Sequence, residues 1–108
     1  MAEGPPEFSA MRLKLSAQRA LLGYVTPGLR AVSIDYDGTD IIWCCVFDSE
    51  ASKERGWEEV SCAAAEVIAD FPAPTGISEE YLVMPPPLPF KYVEWLVFER
   101  WEPSDTDR

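Results

Sequence analysis

The sequence predicts an α+β fold: one small domain of order α-β-β-α-β-β, with helices packed on a mainly antiparallel sheet. Three observations predict it. The chain has 108 residues, room for one core and no more. Two stretches carry apolar residues at helical period, and four shorter runs are rich in β-branched and aromatic residues. Asp-Gly and Pro-Gly dipeptides and a proline run punctuate these segments. At 47% hydrophobic and 26% charged, the chain is too apolar to remain unfolded. The expected organisation is a flexible segment 1–7, a domain spanning 8–102, and a disordered tail over 103–108.

The first helix is expected from Phe8 to Leu22, with Ser9 as N-cap and Gly23 as its stop. Leu13, Ala17, Ala20, Leu21 and Tyr24 share one face and predict a core contact. Met11, Leu15 and Leu22 form a second stripe, read as core rim or contact surface, while Arg12, Ser16 and Arg19 face away. Pro27-Gly28 breaks the chain. Residues 29–36 alternate, with Val32, Ile34 and Tyr36 on one face, and Asp37-Gly38 signals a two-residue hairpin turn with positive φ. If Tyr36 pairs with Thr39, the return strand Ile41 to Phe47 sets Ile41, Trp43, Cys45 and Phe47 on the matching face. Its other face, Ile42, Cys44 and Val46, is apolar too, as expected of a central strand covered on both sides.

Ser49 to Gly56 reads as a polar loop. A second helix is expected from Trp57 to Phe71, with Trp57, Val60, Ala64, Val67, Ile68 and Phe71 on one face. Glu79 to Met84 reads as a short strand and Pro85 to Pro89 as an extended connector, with an SH3-type ligand as the less favoured reading of the proline run. Tyr92 to Trp101 reads as the last strand.

Charge and composition narrow the function. Nineteen acids against nine bases leave a net charge of −10, which disfavours nucleic acid and anionic membranes as partners. The excess is local: residues 31–80 carry a balance of −10, against +2 for residues 1–30 and −2 for residues 81–108. There is no histidine, which removes the commonest general base and metal ligand, and neither enzyme activity nor a cofactor is expected. Cys44, Cys45 and Cys62 show no zinc-ligand spacing and read as buried, reduced thiols. No signal peptide and no membrane-length apolar run is evident, so a cytoplasmic location is expected.

Asp35-Tyr36-Asp37-Gly38-Thr39 resembles the D-x-D-G-T signature of haloacid-dehalogenase-type phosphatases. That signature ends a parallel strand, whereas the residues following it here read as a hairpin returning at once. A calcium loop beginning at Asp35 would need Glu at the position of Val46 and fails. Asp35 and Asp40 are expected to face each other across the hairpin, a like-charge pair that a cationic partner would relieve. With Asp37, Asp48, Glu50, Glu58 and Glu59 they make up the candidate partner-binding surface. Solvated turn residues and acids favoured by the helix dipole explain the same positions without a partner.

Residues Arg19 to Asp37, including Gly23-Tyr24-Val25-Thr26-Pro27-Gly28, and Ser61 to Pro72 resemble small acidic bacterial immunity proteins of the contact-dependent-inhibition or colicin-immunity type. The resemblance implies a binding protein that blocks a cognate toxin domain, and it carries over no catalytic residue. A nuclease-type toxin is basic because it binds phosphate, so an acidic inhibitor would meet it quickly. The alternatives are an adaptor or dimerising module using the second apolar stripe or the last strand, and a phosphatase fragment.

Overall fold

A computed structural model describes residues 10–72 and 75–103. The chain runs α1 (Ala10–Ala20), β1 (Leu29–Tyr36), β2 (Asp40–Phe47), α2 (Glu50–Ala69), β3 (Gly76–Val83), β4 (Trp95–Glu99). The expected flexible segment 1–7, the Ser9 cap and tail residues 104–108 lie outside the described residues.

The sheet grows from one tight turn. Gly38 has φ +100°, and no other residue of the turn has positive φ. Asp37 N–H donates to Asp40 O at 3.1 Å, so Gly38 and Thr39 are the central pair and glycine takes the first position. An Asp37-Gly38 centre would have put positive φ elsewhere in the turn. The register is therefore Tyr36↔Ile41, Ile34↔Trp43 and Val32↔Cys45, two residues from the expected pairing. A two-residue slip keeps every side chain on its predicted face. It does separate Asp35 from Asp40: Asp35 pairs with Ile42, and the residue opposite Asp40 across the turn is Asp37.

The strand order is β3-β2-β1-β4. β1 is antiparallel to β2 and β4, while β2 and β3 are parallel. The parallel pair follows from α2, whose twenty residues carry the chain about 30 Å back to the start of β2. This helix begins seven residues earlier than expected. Ser49 is its N-cap, its Oγ accepting from Ser52 N–H at 3.0 Å, so residues 50–56 are its first turns rather than a loop. Gly56 is buried there because a Cβ would lie 2.2 Å from Thr26 Oγ1.

Both helices cover one sheet face. Leu13, Ala17 and Ala20 of the first, with Leu21 just past it, and Val60, Ala63, Ala64 and Val67 of the second, with Phe71 just past it, close over Val32, Ile34, Ile41, Trp43, Cys45, Phe47 and Val97. Ser16 is buried rather than facing away: its Oγ donates to Asp70 Oδ2 at 2.6 Å. Arg12 donates to Asp70 O and Arg19 to Asp70 Oδ2, so the polar side of α1 caps the end of α2.

The other face, with Ala31, Ser33, Cys44 and Val46 buried, lies under the chain between β3 and β4. Arg30 fixes that chain. Its side chain is 3% exposed and bonds Glu102 twice, at 2.7 and 2.7 Å, and donates to Met84 O at 2.6 Å and Leu88 O at 2.9 Å. The Phe90 ring lies 5.1 Å from its guanidinium carbon, and Val93 N–H donates to Ser33 Oγ at 3.0 Å. The proline run is thus a connector between strands. Cys44 and Cys45 are buried with their thiol pKa values pushed up by desolvation, but Cys62 is exposed, against expectation.

Candidate functional site

The candidate carboxylates fall into three places. Asp35, Asp37 and Asp40 lie at the hairpin end of β2, and Asp48 and Glu50 follow its other end. Asp40 opens β2 and Asp48 follows its last residue, a step of eight residues or roughly 26 Å at ~3.3 Å per residue. Glu58 and Glu59 lie about 12–14 Å along α2 from Glu50, at ~1.5 Å per residue. The hairpin and the start of α2 therefore do not form one continuous patch.

Each carboxylate has a local reason for its conformation. Asp35 Oδ1 accepts from Tyr36 N–H at 2.7 Å. Asp37 Oδ1 accepts from Asp40 N–H at 2.7 Å and Thr39 N–H at 2.8 Å, and those bonds hold its carboxyl below the usual range. Asp40 packs against Gly76, where a Cβ would come within 2.5 Å of its carboxylate. Asp48 is used internally: its Oδ2 lies 3.0 Å from Arg100 Nη1. Burial opposes its charge, but hydrogen bonds with Ser52 and Arg100 outweigh that and keep its pKa low. Arg100 also reaches Glu102 at 3.0 Å, linking this pair to Arg30.

Glu50, Glu58 and Glu59 are exposed, as are Glu54 and Glu66 on the same helix. The outer face of α2 thus carries five carboxylates, beside which Arg55 is the exposed base. On β3, which carries two further exposed carboxylates, Glu79 lies on the helix side of the sheet and Glu80 on the opposite side, beside Cys44. Ser61 Oγ donates to Glu79 Oε1 at 2.7 Å, and Tyr81 OH donates to the same oxygen. Burial, followed by the bond to Glu79, pushes the Tyr81 phenol up. Trp57, expected in the core, is 42% exposed at its margin, with its ring 6.0 Å from Tyr81 in an edge-to-face contact. Glu79-Glu80 inside an apolar run was the signal available for this region.

Elsewhere, Met11 and Leu15 are 70% and 57% exposed and line two open grooves, of about 400 Å³ beside Arg12, Arg19 and Asp70 and about 580 Å³ beside Lys14, Gln18 and Leu96. The D-x-D-G-T segment lacks the phosphatase context, since β1 is antiparallel to both its neighbours. Among the described residues no three His, Cys, Asp or Glu side chains group as metal ligands. No described helix is long and apolar enough to cross a membrane.

A comparison with curated proteins finds no match. The family profile described as MafI2 immunity protein matches residues 10–102, which takes in every helix and strand above. With both helices, all four strands and the Arg30 connector inside the matched span, the chain belongs to the MafI2 immunity protein family.

Proposed function

We propose that the chain protects its producer by binding a basic toxin domain, of nuclease type, and neutralising it without chemistry of its own. The observation that carries this reading is the family match over residues 10–102. The charge supports the partner's sign: the net charge is −10, and five carboxylates stand on the outer face of α2. A basic domain is drawn to such a surface, which raises the rate of encounter more than it slows escape.

The proposed contact residues are Asp35, Asp37, Asp40, Asp48, Glu50, Glu58 and Glu59. Of these, Asp37, Glu50, Glu58 and Glu59 are exposed, while Asp48 is already paired with Arg100. Both protein and target are placed in the cytoplasm, where a nuclease would find its substrate. The test is co-expression with a cognate toxin domain, sought among the genes that neighbour this one. Restored growth, with a complex that weakens as salt rises, is the expected result. Growth arrest despite folded protein refutes the reading.

The exposure of Met11, Leu15 and Leu22 favours a second reading, an adaptor or dimerising module that uses α1. Light scattering distinguishes it: a dimer that Leu15→Glu converts to monomer supports that reading.

A further inference from the structure

The two sheet edges differ in how they are protected. β4 has five residues, and its pairing with β1 is interrupted between Val32 and Ser33. Shortness and a bulge are the usual means of blunting an edge. β3 has eight residues and pairs with β2 without irregularity from Asp40↔Gly76 to Phe47↔Val83. No described strand pairs with its outer side, which leaves a straight row of backbone donors and acceptors.

The side chains around this edge select its occupant. Glu79 and Glu80 are exposed at the centre of the strand. A second copy pairing antiparallel about a two-fold axis at the centre of β3 would set Glu79 against Glu79 of the mate, or Glu80 against Glu80, and like charges directly opposite are destabilising. A cationic strand meets the opposite sign. Beside the edge, the half-exposed Trp57 ring packs edge-on to Tyr81, while Tyr81 OH and Ser61 Oγ both hold Glu79 Oε1. An exposed indole next to a fixed carboxylate suits a guanidinium, which stacks on the ring and pairs with the acid.

We propose that the toxin docks on β3: an extended cationic segment of the toxin adds to the sheet as a fifth strand, with an arginine over Trp57 beside Glu79. This rests on the immunity reading above and adds to it: the acidic face of α2 attracts the toxin, and the β3 edge holds it. Strand addition supplies main-chain hydrogen bonds, and the carboxylates and indole supply selectivity.

The probe is the purified cognate toxin domain identified by the co-expression test, made catalytically silent and mixed with the full chain. Amide hydrogen exchange should slow on complex formation at the outward-facing amides of residues 76–83, which have no strand partner in the free protein. Trp57→Ala should weaken binding about 30-fold, the scale of an interface hot spot, and Glu80→Lys about tenfold. Because Trp57→Ala also removes a contact with Tyr81, the exposed Glu80→Lys is the variant that keeps the fold, checked by thermal melting. Leu15→Ala should bind within about threefold of the parent, below the hot-spot range. Protection confined to α1 or residues 84–94 overturns the proposal. So does wild-type affinity in both the Trp57 and Glu80 variants while the parent still neutralises the toxin, and the immunity reading then survives. A parent chain that fails to neutralise removes both.

Discussion

Replacing Arg30 with Ala should be among the most damaging single changes in this domain. The side chain is 3% exposed, yet it is held by polar groups and an aromatic face: the two oxygens of Glu102, the carbonyls of Met84 and Leu88, and the Phe90 ring. The Glu102 hydrogen bond raises the Arg30 pKa, outweighing desolvation, and the same bond lowers that of Glu102. Removing one partner of a buried pair costs about 3–5 kcal/mol, and each carbonyl left without a donor adds about 1–3 kcal/mol unless water reaches it. Glu102 keeps Arg100 at 3.0 Å and is 21% exposed, so the low end of each range applies. The sum is about 5 kcal/mol, a large part of the ~5–15 kcal/mol that stabilises a domain. At roughly 4 °C per kcal/mol, the melting temperature should fall by about 20 °C. Arg30→Lys keeps the charge but loses the two-pronged geometry, and should recover less than half. Urea titration followed by circular dichroism measures all three proteins. An Arg30→Ala midpoint within about 1 kcal/mol of the parent would refute the clamp.

Val60 is fully buried on the core face of α2, so Val60→Asp should leave no cooperative melt, read by circular dichroism. Ser49→Ala should cost about 1 kcal/mol in urea titration by removing the N-cap of α2. Asp48, Asp70 and Glu102 all have lowered pKa values in the folded chain. Their stabilisation is present above the unfolded carboxylate value of about 4 and is lost as pH falls through the lower folded values. The urea midpoint should therefore drop between about pH 5 and pH 2, and Glu102→Gln should make that drop shallower.

Much of the fold was legible because two periods carry it. The helical spacing of Val60, Ala64 and Val67 and the alternation of Ile41, Trp43, Cys45 and Phe47 each predict a buried face, and each is buried. The hairpin register was not legible to the residue. A two-residue slip leaves those faces intact, and only the need for Gly38 to lead the turn settles it. Lys53-Glu54-Arg55-Gly56 reads as loop because its composition is polar and ends in glycine. In the fold, that glycine makes room for Thr26. The candidate surface was legible only as an excess of charge. Asp48 looks like its neighbours in sequence, and the arginine that occupies it lies 52 positions away. The β3 edge depends on strand order, which no local pattern records.

The central claim is that acidic side chains steer a basic toxin onto this protein. Its most direct measurement is the association rate with the toxin domain, at low and high salt, for the parent and a Glu50→Gln, Glu58→Gln, Glu59→Gln variant. All three glutamates are exposed, so the variant should melt like the parent. The account predicts an association rate for the parent that falls about tenfold or more as salt rises, and a variant slower to associate at low salt with nearly unchanged dissociation. Equal association rates for both proteins, unaffected by salt, would contradict it.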